Sequence, residues 1–473
     1  MSTNDTQLVD AARNGNVARV MELLKNKAHL LELGTHGMTA LMVAAENGNE
    51  QIVTMLLTNG VDPDHRDDSG KTILMKVGGK GHCGVVELLL THGADPNQRS
   101  RGGSTPLAEA AEKGHEGIVR LLLANGANPK KKYNNEMNAL MVAAEKGHEQ
   151  VVRLLLTNGA DPNQMSRCGR FPLVEAAEEG HEEIVGLLLA NGANPKKKDN
   201  IGKTALTEAA RLGHEHIVRL LLTNGANPNC SGKDEVTALK YAARGGHEQI
   251  VRLLLTNGAD PNQQDFYGET ALTKATEKGN ESIVKLLLAN GADPNLKGKR
   301  GRTALIYAAV KDNEPIIRML LTNGADLDQM DRRRYTALST ATWRDNEPIV
   351  RLLLAHGADP TLQHDSGETT LLKATIIGNE QIIRLLLTHG ADPNQHDYSG
   401  WTALMAAGGK DKQIVRLFLA YGADPNQQSN SGATALFRAI RCEHIDNVRL
   451  LLTHGADPNL KDSDGETATE RQL

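Results

Sequence analysis

The chain has 473 residues and a mass of 51.0 kDa, is 39% hydrophobic and only 3% aromatic, and carries a formal net charge of -5 with a pI near 6.4. That mildly acidic balance argues against a general nucleic-acid or membrane-surface binder, and no apolar run is long enough to span a membrane. Cys83, Cys168, Cys230 and Cys442 lie at least 62 residues apart, and the polar start from Met1 to Asp10 has no signal core, so a reducing, cytoplasmic setting without disulfides is the default.

In chain order, the first predicted unit is Leu8 to Lys25, which lacks a preceding hairpin and reads as a cap. The next can be read residue by residue. Thr39 opens a short helix with Leu41, Ala44 and Ala45 on one face, at the i, i+3, i+4 spacing that buries a stripe. After Asn47-Gly48-Asn49, a second helix turns Ile52, Val53, Leu56 and Leu57 inward. Gly60 sits just past its end, where a left-handed backbone is usually needed. The polar run from Asp62 to Gly70 reads as an extended excursion with a tight turn.

This unit then repeats. The closing glycine returns every 33 residues from Gly60 to Gly390, slips to a 32-residue step at Gly422 and recovers at Gly455. Units of this length are too short for independent cores and must stack. Counting the cap as the first, repeat three replaces the usual Ala-Ala surroundings with Val77-Gly78-Gly79, and repeat thirteen combines Gly408-Gly409 with the deletion. Helical glycines cost about 1 kcal/mol each relative to Ala, which makes these two units the expected places for bending or opening. Ala124 to Lys132 recurs at Ala190 to Lys198, the mark of a duplicated two-repeat segment.

The residues resemble the ankyrin repeat family. The resemblance rests on Thr105-Pro106-Leu107, on the Thr-Ala-Leu versions beginning at Thr39, Thr204, Thr237, Thr270, Thr303, Thr336 and Thr402, on pairs such as Ala110-Ala111, and on Gly-Ala-Asp-Pro-Asn at Gly93, Gly159 and Gly258. It implies an all-α solenoid of stacked helix-turn-helix units joined by hairpin loops, curved into a superhelix. The expected boundaries are a capping helix pair over 1–33, the repeat array over 34–462 and an incomplete terminal repeat over 463–473. One column departs from the family. Where a histidine usually follows Thr-Pro-Leu, this chain has Met42, Met75, Ala108, Thr207, Lys240 or Ser339, which leaves hairpin rigidity in question. The family also carries an Asn at the hairpin base that hydroxylases modify, and Asn97, Asn163, Asn262 and Asn394 match that position.

Motifs that suggest chemistry have bland readings here. Gly79 to Gly84 matches G-x-G-x-x-G but follows a helix rather than a strand. The Gly-His-Glu runs at His115, His148, His181, His214 and His247 never become a zinc-binding H-E-x-x-H, and those histidines are expected to cap second helices. The triplets Lys130 to Lys132 and Lys196 to Lys198 read as solvated hairpin entries, with nuclear import as the rival. No catalytic residue, cofactor or metal is expected.

A stacked array fixes its framework, so information about a partner resides where the copies differ. The resemblance points to hairpin tips and first-helix faces, which together form a concave surface. Repeats four to seven place Glu109, Glu112, Glu175, Glu178, Glu179 and Glu208 there, an acidic strip that would favour a basic partner segment. Of 13 aromatic residues, 11 fall between Tyr241 and Phe437. Phe418 and Phe437 are expected to pack between helices. Partner-binding residues are expected at Tyr241, Phe266, Tyr267, Tyr307, Arg332, Arg333, Tyr335, Trp343, Arg344, Tyr398 and Trp401, because aromatics and Arg dominate interface hot spots. The Arg-rich tips, which also include Arg300, Arg302 and Arg334, would favour an acidic or phosphorylated segment. The expected function is a monomeric scaffold or adaptor that binds a protein or peptide, chiefly through repeats eight to thirteen. The rival reading is an effector of an intracellular bacterium or virus that engages a host protein.

Overall fold

In a computed structural model, the residues described are 7–26, 39–131, 137–167, 169–232 and 234–470. Lys132, Cys168, Leu473 and the expected boundary after residue 33 lie outside them. Among the described residues there are 28 α-helices and no strands, antiparallel pairing being limited to isolated bridges such as Arg66 with Thr72 and His396 with Thr402. The helices come in pairs at the expected period, for example Ala40–Glu46 with Glu50–Thr58 and Ala304–Val310 with Glu314–Thr322. None is long and apolar enough to cross a membrane. The chain divides into two compact units, Met1–Ala238 and Leu239–Leu473.

Within the first unit, Leu41, Ala44, Ala45, Ile52, Val53 and Leu56 are fully buried. Within the second, Leu305, Ala308, Ala309, Ile316, Ile317 and Leu320 do the same. Each large aliphatic side chain contributes about 1.5–3 kcal/mol on burial. Ordering a repeat costs about 1–2 kcal/mol per residue in backbone entropy alone, so one helix pair cannot hold itself together and must borrow its neighbours' faces. Gly60 ends its helix at φ +85°, which releases the chain sideways into the hairpin.

The missing histidine column leaves no hole. Met42, Met75 and Met405 are buried in that place, and the preceding threonine hydroxyl accepts the Met42 backbone N–H at 3.2 Å. At Thr207, Thr273 and Ser339 the substitute is polar, and its hydroxyl accepts the backbone N–H of the N-cap threonine while that threonine's hydroxyl accepts the N–H of the substitute, a reciprocal capping box. Both devices fix the start of the helix without an imidazole.

The second-helix histidines require a correction. They occupy the N-cap position, yet the side chains of His115, His148, His181 and His214 make no capping bond. Each instead reaches back one repeat: Nε2 of His148 lies 2.9 Å from the Glu112 carbonyl, and that of His181 lies 3.1 Å from Glu145 O. The imidazole satisfies an orphan carbonyl at the end of the preceding first helix and pins two repeats together. Its ring also covers the glycine of the preceding turn. A Cβ on Gly114, which has φ +74°, would lie 2.6 Å from His148 Nδ1.

In the second unit this device changes. Asp312 and Asp345 replace the turn glycine at φ +54° and +59°, and the next repeat then supplies Asn346 and Asn379 instead of His. Each Asn caps its own helix through Oδ1 and donates from Nδ2 to the aspartate below, at 3.1 Å to Asp312 and 2.7 Å to Asp345. The smaller amide also stands above glycine, as Asn280 does over Gly246 and Asn313 over Gly279, but above Asp312 and Asp345 it gains a carboxylate acceptor.

The glycine-rich units have a packing reason. A Cβ on Gly78 would come within 3.3 Å of the Pro106 carbonyl, and one on Gly408 within 2.7 Å of Ala435 O, so both mark close approaches of the following first helix. The deletion in repeat thirteen shortens its first helix to Ala403–Ala407. Asn447, on the next repeat's second helix at the position Ile52 holds in repeat two, is 1% exposed. Its amide donates to Gly408 O at 3.1 Å and to Lys410 O at 2.8 Å. A polar residue in the core thus satisfies carbonyls that the shortened turn leaves open.

Candidate interaction surface

In the first unit, the acidic strip is mostly paired from within. Glu109 meets Lys71 at 2.9 Å; Glu175 and Glu178 share Arg170 at 2.5 and 2.6 Å; Glu208 meets Lys203 at 3.2 Å and Arg211 at 2.6 Å. Glu175 and Glu208 are buried, so they offer no acidic surface to a partner, contrary to the sequence expectation. Burial pushes the Glu175 carboxyl up to about 7; Arg170 opposes the rise, and Glu145, Glu178 and Glu179 add to it. At the N-terminal end of the same ladder, Asp67 is held down at about 2. Burial would raise it, but the hydrogen bonds from Lys76, Ser69 and the Lys71 backbone outweigh that. First-helix charges here therefore lock hairpins to helices.

The second unit presents a different surface. Phe266 is 76% exposed and Tyr267 55%, their rings edge to face at 5.5 Å, with the Lys299 ammonium 5.2 Å above Tyr267. Trp343 is 55% exposed beneath Lys373 at 4.7 Å, and Tyr398 is 69% exposed. These four aromatics stand in solvent, two of them oriented by a cation from the next repeat. Arg332 and Arg333 are exposed at a hairpin tip. Arg344 is tied down: its guanidinium pairs with Asp312, and that hydrogen bond lowers the Asp312 carboxyl from its ordinary value.

Other expected residues are less available. Tyr307 is 8% exposed; its hydroxyl donates to Glu269 Oε1 at 3.0 Å, and Arg302 lies 6.0 Å over its ring, so it braces the hairpin instead of facing a partner. Tyr241 is half-buried, as is Tyr335, whose ring packs 4.2 Å from the buried imidazole of His364. Trp401 is half-buried and lines a cleft of about 620 Å³ with Phe437, Arg438 and Arg441. Phe418 and Phe437 are buried, as the sequence suggests. Sequence reasoning passed over Lys299, Lys373 and His364; the available signal was that each lies one repeat after an aromatic at a neighbouring column.

The hairpin-base asparagines are clamps. Nδ2 of Asn97 donates to Gly126 O at 2.8 Å while its Oδ1 accepts the Asn128 backbone N–H at 2.9 Å, and Asn163, Asn262 and Asn394 repeat both bonds. Among the basic triplets, Lys197 extends back to Asn163 O at 3.0 Å and over Phe171 at 4.9 Å, which ties part of the triplet to the preceding repeat.

Helix pairs of fixed period, stitched by hairpin clamps and bearing their variation on tips and first helices, define a helical repeat solenoid. The family model for ankyrin repeats (3 copies) matches residues 2–67, 55–133, 74–166, 140–231, 173–265, 217–298, 272–364, 338–429 and 371–462. The chain belongs to the ankyrin repeat family. No curated protein gives a significant match. Ankyrin repeats generally mediate protein–protein interactions.

Proposed function

We propose that this chain is a cytoplasmic, monomeric interaction scaffold or adaptor, and not an enzyme, that holds a protein or peptide partner on the hairpin tips and first-helix faces of repeats eight to thirteen. Residues 1–33 serve as its cap, 34–462 as the binding array and 463–473 as the start of a further repeat. The observation that carries this reading is the set of exposed aromatics, Phe266, Tyr267, Trp343 and Tyr398, at positions the framework leaves free. Large exposed rings add nothing to a stack, whereas they bury wide area at modest entropic cost in an interface. Phe266, Tyr267, Arg332, Arg333, Trp343 and Tyr398 form the available set, with Tyr335 and Trp401 at its half-buried edges.

Affinity capture with the wild type beside a Tyr267→Ala, Trp343→Ala, Tyr398→Ala variant tests the surface. All three side chains lie outside the core, so the variant is expected to fold and to lose specific partners. Retention of the same partners by both proteins would place the interface elsewhere.

A further inference from the structure

We propose that the hairpins leading into repeats ten and eleven form a receptor for one phosphorylated serine or threonine side chain within an extended segment of the partner. This deepens the interaction reading above and rests on it. Arg300, Arg302, Asp331, Arg332, Arg333 and Tyr335 line a single cleft of about 310 Å³. The two tips that build it are bonded, the Arg332 backbone N–H donating to the Arg300 carbonyl at 2.8 Å. The only acid in the cleft is already occupied. Asp331 Oδ1 accepts the backbone N–H groups of Arg333 and Tyr335 at 2.8 and 3.0 Å, and Oδ2 lies 3.4 Å from Arg302 Nε. Arg300, Arg332 and Arg333 are exposed, and none forms an ion pair among the described residues.

Backbone conformation is an independent observation. Arg300 has φ +64° and Arg334 φ +62°, a region disfavoured for residues with a Cβ. Gly70, Gly202, Gly268 and Gly400 hold the hairpin place that Arg334 holds, and they take the left-handed turn without strain. Glu235 takes that same place at φ +58°, and the Arg334 guanidinium is used within the fold, donating to the Gln363 carbonyl at 3.2 Å. Arg300, which precedes Gly301 and lines the cleft, is the strained residue whose side chain is left for a ligand, in the direction from outlier to function.

The local charge distribution selects the ligand. The preceding hairpin carries Phe266 and Tyr267 and the following one Asp365 and Ser366, so the cationic patch does not continue along the stack. A nucleic-acid track needs positive charge at successive phosphates. A single phosphate needs only a local cluster. Three unpaired guanidiniums also exceed what one carboxylate can neutralise, whereas a phosphoryl group brings a charge near -2 and three acceptor oxygens. The exposed rings of Phe266 and Tyr267 beside the cleft offer apolar contact for the residue next to the phosphorylated one.

The test uses the full chain and fluorescence anisotropy with positional-scanning peptide pools centred on phosphoserine or phosphothreonine. The same pools centred on unmodified Ser or on Glu, and a single-stranded oligonucleotide, serve as the comparison arms. Phosphorylated pools are expected to bind at least about tenfold more tightly than either peptide control, the worth of one or two charge-assisted bonds. Arg300→Gly is expected to weaken that binding by about tenfold while raising Tm by ~2 °C, because it removes strain and cation together. Arg333→Ala should weaken binding without raising Tm. Equal binding of phosphorylated and unmodified pools, tighter binding of the oligonucleotide, or unchanged affinity in Arg300→Gly would each overturn the proposal. If the aromatic triple variant loses its partners while no pool distinguishes phosphate, the phosphate receptor fails and the interaction surface stands. Arg-dependent phosphopeptide binding with captured partners unchanged in the triple variant gives the reverse result.

Discussion

Glu175 makes the buried side of the charge ladder measurable. It is 1% exposed, shares Arg170 with Glu178, and is held by burial at a pKa of about 7 instead of the ordinary 4.5. The folded carboxyl therefore binds a proton more strongly than the unfolded one, so stability falls as pH rises from the unfolded value to the folded one and levels off above it. A shift of that size, at about 1.4 kcal/mol per pKa unit, corresponds to about 3 kcal/mol lost across the window. Glu175→Gln keeps the shape and removes the ionisation, so its stability relative to wild type should rise by about 3 kcal/mol between mildly acidic and mildly alkaline pH and change little at acid pH. Carboxyl-carbon NMR, with the variant used to assign the resonance, reads the titration directly, and thermal melts of both proteins across pH read the linkage. A Glu175 carboxyl that titrates at or below the ordinary glutamate value, or a stability difference that does not vary with pH, would refute the assignment of burial as the dominant influence.

Two further predictions concern coupled departures from the repeat. Asn346→His should destabilise by ~1–3 kcal/mol, since an imidazole would meet the Asp312 Cβ, whereas in an Asp312→Gly background it should be tolerated. A double-mutant cycle by thermal melting should give a coupling of about 1 kcal/mol or more, and a value near zero would dismiss steric pairing as the cause. Asn447→Ile restores the apolar residue that most other repeats carry yet should destabilise by about 1 kcal/mol, because the buried Gly408 carbonyl loses its donor. Faster amide exchange in Ala403–Ala407 and Lys412–Ala420 is the expected sign, and unchanged or slower exchange would show that the shortened turn does not depend on Asn447.

The resemblance to ankyrin repeats and the helix pairing were legible in the sequence because the 33-residue period repeats the same helix starts, apolar stripes and closing glycines many times over. Such signals are local: a threonine cap, an alanine pair and a glycine at positive φ each act within one turn. The concentration of aromatics and arginines after Tyr241 was legible for the same reason, since framework positions are known once the period is known. What a variable side chain touches one repeat away was not. Tyr307 and Trp343 both stand on first helices, at different columns, yet one hydroxyl finds the buried carboxylate of Glu269 and the other ring is left in solvent over which Lys373 reaches. Glu175 and Glu208 looked like an open acidic surface until Arg170, Lys203 and Arg211 closed on them.

The sequence by itself determined the repeating unit, its helices and the positions free to vary, because hydrophobic period and capping chemistry operate over a few neighbouring residues. Only the tertiary structure decided which of the free positions remain exposed. That outcome depends on partners supplied about one repeat away, as with Asn346 over Asp312, Asn447 beneath Gly408, and the Arg300 and Arg332 tips that meet to make one cleft.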